Sequence, residues 1–358
     1  MNGMDQRPAE DSGSPPRRPR RLTVEDYVRG VREGQRTVLA RAITLVESSS
    51  RLHEAQAQEV LHELMPHTGQ AQRVGITGVP GVGKSTFIES LGCYLIGCGR
   101  KVAVLTIDPS SARSGGSILG DKTRMDRLSR EPNAFIRPSP AGENLGGVAR
   151  RTRETMFLCE AAGFDVVLVE SVGVGQSEIA LRSMVDFFLV LLLPGAGDEL
   201  QGIKRGILEM ADLILVNKAD GENRLRAEQA RAEQNAALQY LQPATPGWKC
   251  EAGLCSALTG EGVAETWGTI ERFYRELRPT GALAQKRQGQ LLDWMNDLIH
   301  SELRRRFEHH RQVTQRRSAI QQAVVRGEMT VVRAAQALLE AYDQGRHSPD
   351  TNSQNTAL

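Results

Sequence analysis

A run of β-branched residues, Val74 to Thr77, passes directly into Gly78-Val79-Pro80-Gly81-Val82-Gly83-Lys84-Ser85-Thr86 and from there into a stretch of helical character. No other feature constrains the chain as strongly. The GxxxxGK[ST] spacing between a strand and a helix calls for a loop whose glycines let successive backbone N–H groups turn inward, with the positive end of the next helix behind them. Such a loop cradles phosphates. Lys84 reaches the terminal phosphates, and the Ser85 hydroxyl is placed to ligate Mg²⁺. Taken alone, the motif establishes phosphate binding and says nothing of the base.

The surrounding pattern supplies the fold. Short apolar runs alternate with helical stretches: Val74 to Thr77, Val102 to Ile107, Val166 to Val169, Phe187 to Leu193 and Leu213 to Val216. Strands separated by helices predict an α/β fold, a mostly parallel central sheet with helices on both faces. A right-handed crossover brings Val102 to Ile107 parallel to the first strand, so Asp108 emerges on the rim that carries the phosphate loop, as does Glu170 after Val166 to Val169. In Glu170-Ser171-Val172-Gly173 a carboxylate is positioned for Mg²⁺ and the Gly173 N–H for the γ-phosphate; an acid capping the following turn is the structural alternative. Pro109 to Asp121 reads as a Ser/Gly-rich loop closed by Asp121, Lys122 and Arg124, candidates for metal or phosphate contact or else a solvated charge cluster. A further glycine-bearing loop runs from Pro194 to Lys204.

A second motif addresses the base. Asn217-Lys218-Ala219-Asp220 follows the strand Leu213 to Val216 and matches the NKxD pattern, in which the Asp carboxylate accepts from guanine N1–H and the exocyclic amine. Adenine presents a lone pair at N1, which a carboxylate repels. Cys255-Ser256-Ala257-Leu258, after the next predicted strand, resembles the loop whose backbone contacts guanine O6. Three motifs in this order predict binding of GTP and GDP.

The flanks differ from this core. Residues 1–21 are rich in Pro, Arg and Ser and too polar to order themselves. A basic docking arm and a targeting segment both fit, with Asp5, Glu10 and Asp11 counting against the latter. Residues 22–70 predict short amphipathic helices, beginning at a cap signature in Thr23 to Asp26. Residues 71–280 form the nucleotide domain. Residues 281–345 carry two apolar stripes on helices, Leu292, Met295, Ile299, Leu303 and Phe307, then Val332, Ala335, Leu339 and Tyr342 beyond a turn at Gly327. They pack on their own domain or form an oligomerisation arm; Arg304, Arg305, Arg306, His309 and His310 read as its solvated face. Residues 346–358 read as a polar tail. Lys plus Arg (45) nearly balance Asp plus Glu (43), so no bulk attraction to nucleic acid or membrane follows. Five cysteines and no long apolar segment predict a cytoplasmic protein rather than a disulfide scaffold or a membrane span.

Together, Gly78 to Ser85, Ile107 to Ser111, Gly115 to Met125, Glu170 to Glu178 and Gly195 to Lys204 resemble the MeaB/ArgK family of G3E-type GTPases, which act as chaperones of cobalamin-dependent acyl-CoA mutases. The resemblance spans roughly residues 25–310. It implies a homodimer joined by the C-terminal arm, GTP hydrolysis with Mg²⁺ held by Ser85, Asp108, Asp121 and Glu170, and phosphate or transition-state contacts from Lys84, Arg124 and Lys204. It also implies an acyl-CoA mutase as partner, with a cobalamin adenosyltransferase as a further one, and no cobalamin bound directly by this chain. Ser171 stands where the family more often has Thr, and Val174 stands where Ras-like proteins carry the water-positioning Gln, which predicts slow intrinsic hydrolysis. Two rival readings differ in class. A nickel or cobalt metallochaperone needs a CxC, CxxC or His-rich loop, which Cys93, Cys98, Cys159, Cys250 and Cys255 do not form by spacing. An amino-acid transport ATPase conflicts with Asp220.

Overall fold

The computed structural model describes residues 21–48, 50–107, 125–138, 145–171, 177–195 and 205–344. The stretches that carry Asp108, Asp121, Arg124, Gly173, Lys204 and the two tails lie outside these residues.

Seven strands form one parallel sheet: β1 (Gln72–Gly78), β2 (Val102–Ile107), β3 (Ala134–Arg137), β4 (Val166–Ser171), β5 (Phe187–Leu192), β6 (Leu213–Val216) and β7 (Glu251–Leu254), in the order β3-β2-β4-β1-β5-β6-β7. The runs that read as strands are apolar without alternation because helices cover both faces, and β2, β4 and β5 are buried at every position. β2 runs parallel to β1 as the crossover argument requires, but β4 lies between them; Val74 pairs with Leu168 on one side and Phe187 on the other. The sequence reading passed over β3, a four-residue edge strand too short to show a period.

At the amino end, α1 (Val24–Arg32) opens on a reciprocal cap in which Asp26 N–H donates to Thr23 Oγ1 and Thr23 N–H to Asp26 Oδ2, both at 3.2 Å. With α2 (Arg36–Glu47) and α3 (Arg51–Leu64) it buries Tyr27, Val31, Leu39, Ile43 and Val46. The remaining helices of this unit are α4 (Lys84–Gly97), α5 (Asp126–Ser129), α6 (Leu145–Ala161), α7 (Ser177–Arg182), α8 (Arg205–Glu209), α9 (Arg224–Leu238) and α10 (Val263–Leu277). Phe187, Trp248 and Phe273 meet edge to face within the main core, with ring centroids 5.1–6.3 Å apart.

Two buried carboxylates tie strand starts to distant segments, as buried charge requires. Asp186, before β5, accepts from Arg73 N–H at 3.0 Å and from the Tyr274 hydroxyl at 2.8 Å. Asp212, before β6, accepts from Phe188 N–H at 2.9 Å, Arg182 at 2.8 Å and the Thr245 hydroxyl at 2.6 Å.

The first compact unit ends at Leu283, and the chain from Ala284 belongs to a second. That second unit holds most of α11 (Ala282–Glu308), then α12 (Arg311–Val325) and α13 (Val331–Gln344). The helical stretch that read as one stripe followed by another is divided at His309 and His310, and the turn at Gly327 joins α12 to α13. Arg304, Arg305 and Arg306 are exposed and pair with Glu302 and Glu308, one turn away on the same helix. His310 departs from the solvated reading: its ring meets Tyr342 edge-on at 5.1 Å, and Phe307 lies 5.6 Å from the same tyrosine. Leu291, Leu292, Met295, Ile299 and Leu303 are exposed along α11. Among the described residues, no helix is long and apolar enough to cross a membrane.

Candidate functional site

The carboxyl ends of β1, β4, β6 and β7 supply the described part of the site, as expected where parallel strands point their ends at a ligand. Gly78 closes β1 with φ 152°, and a Cβ there would lie 2.6 Å from the Leu191 carbonyl oxygen, so β5 leaves no room for a side chain. Buried Val82 anchors the loop, while Gly81 at its apex is exposed and Val79 and Pro80 beside it are not buried. Gly83 caps α4 in the left-handed region, φ 95°; a Cβ there would come within 2.8 Å of Asn217 Nδ2. The phosphate loop is thus seated on the loop that follows β6.

Lys84 is buried, and its ammonium donates to the Gly78 carbonyl at 2.8 Å and the Val79 carbonyl at 3.3 Å. These bonds hold the charge over the entrance of the loop, where an anion would lie. Thr86 is exposed on the first turn of α4.

Asn217 joins three segments. Its Nδ2 donates to the Val82 carbonyl at 2.8 Å and its Oδ1 accepts from Ala257 N–H at 3.0 Å, at 1 % exposure. Lys218 follows in the left-handed conformation, φ 60°, unique among described non-glycine residues. That turn lets Ala219 N–H reach the Cys255 carbonyl at 3.0 Å, and it brings Asp220 to Ser256, whose hydroxyl donates to Oδ1 at 2.7 Å. Ser256 Oγ also accepts from Thr259 N–H at 3.2 Å. A carboxylate is therefore oriented beside backbone from the β7 loop, which suits a base with an N–H edge. Leu258 is exposed at the loop's end. Burial pushes the neighbouring Cys255 thiol up to about 12, so it stays a protonated packing residue.

On the other flank, Ile76 is in register with Glu170. The Ser85 hydroxyl lies 3.3 Å from Glu170 Oε1, and the Thr77 and Ser171 hydroxyls share a buried hydrogen bond of 2.7 Å. A hydroxyl and a carboxylate side by side are hard oxygen donors of the kind Mg²⁺ takes. Two features escaped sequence reasoning. One is the Thr77–Ser171 bond, for which the sequence holds no signal. The other is Asn217 as a brace between loops, which only its place in NKxD hints at.

A parallel sheet with a phosphate loop on its central strand and an NKxD loop and its companion at the ends of β6 and β7 defines a P-loop GTPase. The sequence model described as methylmalonyl Co-A mutase-associated GTPase MeaB matches residues 39–312. A probable GTPase of Mycobacterium tuberculosis is 52 % identical over 318 residues, covering 89 % of this chain and 95 % of that protein. The mitochondrial methylmalonic aciduria type A homolog of Mus musculus is 44 % identical over 334 residues, 90 % of this chain and 80 % of that one. A crystal structure described as a LAO/AO transport system kinase superposes with a TM-score of 0.74 at 38 % identity, covering 88 % of this chain and 96 % of that one. The chain belongs to the MeaB family and hydrolyses GTP.

Proposed function

We propose that this GTPase is a chaperone that gates adenosylcobalamin loading and protects or reactivates a cobalamin-dependent acyl-CoA mutase, methylmalonyl-CoA mutase or a relative. The observation that carries the reading is the match over residues 39–312 to a family described by its association with that mutase. The mouse relative, described by methylmalonic aciduria, points to the same metabolism.

Within the site, Gly78 to Thr86 hold the phosphates, and Lys84 neutralises charge on the group being transferred. Asn217, Lys218 and Asp220, with Ser256, Ala257 and Leu258, enclose the guanine. Ser85 and Glu170 would hold Mg²⁺, joined by Asp108 and Asp121; when bound, the ion supplies charge neutralisation at the phosphate oxygens. Gly173 senses the γ-phosphate, while Arg124 and Lys204 are the cations a partner would reposition. The exposed Leu292, Met295 and Ile299 of α11 support a homodimer joined through that helix.

A cation placed in the transition state contributes ~10³ to 10⁵ in rate in this chemistry. Adding the cognate mutase to the full chain is therefore expected to raise GTP turnover, measured as phosphate release at saturating GTP. A turnover unchanged by the mutase, together with no co-elution of the two proteins, removes the chaperone reading and leaves the GTPase standing.

A further inference from the structure

The phosphate loop leaves the carboxyl end of β1, and Glu170 stands near the carboxyl end of β4, its neighbour in the sheet. The register between these two strands ends at Ile76 with Glu170. On its other side β1 stays paired with β5 as far as Gly78 and Leu191, and β4 stays paired with β2 as far as Ser171 and Ile107. The outer seams therefore hold to the last residue, while the seam between phosphate loop and carboxylate opens early. One residue past the last pair, Thr77 Oγ1 and Ser171 Oγ meet at 2.7 Å, with the two residues 1 % and 0 % exposed. Water does not reach this bond, so a hydroxyl that loses its partner there keeps its full desolvation penalty.

Side chains alternate between the faces of a strand. Glu170 faces α4, where Ser85 Oγ lies 3.3 Å from its Oε1, and Ile76 belongs to the same core cluster as Phe87 and Ile88 of that helix. Thr77 and Ser171, one position further on, face the opposite side, the side on which a Cβ at Gly75 would meet Val185 and Leu181. The hydroxyl pair thus acts on Glu170 through the backbone, from behind the sheet. Packing alone does not call for it, because two apolar side chains of the same shape would fill the space at little or no cost in stability. What the bond adds is a fixed spacing between Gly78, where the loop begins, and the carboxylate on the adjoining strand.

We propose that Thr77 and Ser171 are positioning residues for GTP hydrolysis: their bond closes the β1–β4 seam, so that Mg²⁺ and the nucleotide phosphates strengthen each other's binding. The inference rests on the reading of Ser85 and Glu170 as groups that hold Mg²⁺. Without the bond, Glu170 keeps its side chain, but each binding event has to order the seam as well, and the mutual gain shrinks for ion and nucleotide alike.

The affinity of the full chain for guanosine 5′-(β,γ-imido)triphosphate, measured by calorimetry in saturating Mg²⁺ and again in EDTA, gives a ratio that reads this coupling. Thr77→Val and Ser171→Ala each remove one hydroxyl and strand the other. Both are expected to lose stability in urea and to lower the ratio by about tenfold, the order of one buried hydrogen bond. Thr77→Ser keeps the hydroxyl and is expected to keep the parental ratio. Thr77→Val combined with Ser171→Ala is decisive. It strands no hydroxyl and regains stability in urea, yet its ratio stays about tenfold below the parent. Should a single variant fail to fold, this double variant carries the test. A double variant with the parental ratio, or Thr77→Ser with a ratio as low as that of Thr77→Val, overturns the proposal. Glu170→Ala tests the premise separately. If it leaves the ratio unchanged, or the parent shows no gain with Mg²⁺, the metal reading and this proposal fall together; a ratio lost in Glu170→Ala but kept in the double variant removes this proposal alone.

Discussion

Asn217 offers the sharpest test of how the site is held together. Replacing it with Ala deletes two hydrogen bonds in a place that water does not reach. The Val82 carbonyl, formerly 2.8 Å from Nδ2, and the Ala257 N–H, formerly 3.0 Å from Oδ1, are both stranded. Each buried group left unsatisfied costs about 1–3 kcal/mol, so the two together cost ~2–6 kcal/mol. Neither partner belongs to a strand, so much of this is expected to appear as disorder of the phosphate and base loops rather than as global unfolding. If half falls on nucleotide binding, GDP affinity drops by about 5- to 150-fold. The discriminating variant is Asn217→Asp. It keeps the acceptor for Ala257 but turns an anionic oxygen towards the Val82 carbonyl, so it should bind GDP more weakly than Asn217→Ala although it is closer to asparagine in shape. Calorimetric titration of GDP, alongside urea unfolding of each variant, reads both quantities. If Asn217→Ala binds within about twofold of the parent, or Asn217→Asp binds better than Asn217→Ala, the bracing role is refuted.

Asp220→Asn retains an acceptor for the Ser256 hydroxyl but loses the charge that guanine N1–H requires; GTP should weaken by about tenfold or more and xanthosine triphosphate should gain, by competition at equilibrium, and unaltered base preference would undo the assignment. Glu170→Ala is expected to raise the Mg²⁺ concentration needed for half-maximal hydrolysis, with a Mg²⁺ dependence identical to the parent counting against it as a metal-binding group. At pH 8 a disulfide reagent should label exposed Cys98 first. Cys250 and Cys255, whose thiols burial lifts to about 12, and Cys159, lifted further, should react only on denaturation, because all three stay protonated through the neutral range; labelling of Cys159 in the native protein would contradict its burial. Leu292→Asp with Met295→Asp should halve the mass seen by light scattering, and a parent chain that is already monomeric would end the homodimer proposal.

What the sequence disclosed followed from physical range. Runs such as Phe187–Leu192 announce themselves because both faces are covered and every position is apolar. The edge strand Ala134–Arg137 offers four residues and no period, and the insertion of β4 between β2 and β1 depends on pairings distant in sequence, such as Val102 with Val166 and Val74 with Leu168. At the site, residue types at fixed spacing mark Lys84, Asn217 and Asp220 as chemistry. The bonds of Asn217 are another matter, for they cross 135 and 40 residues to backbone atoms that carry no residue identity. In the C-terminal region the apolar stripe continues to Phe307, so periodicity alone could not announce the break at His309 and His310 or the edge-on contact of His310 with Tyr342.

The Tyr274 hydroxyl, which reaches both Asp186 and the Arg73 carbonyl, has a consequence for the order in which the chain is made. β1 leaves the ribosome early, yet its two neighbours are built about ninety and more than a hundred residues later, and the tyrosine that clasps the starts of β1 and β5 comes later still. Contacts of such separation are slow to form and leave their strands exposed while they wait. A nascent chain released before Tyr274 would thus carry the whole phosphate-loop motif without the clasp that steadies its strand. Nucleotide binding by chains stalled at successive lengths should arise late and abruptly, as α10 emerges.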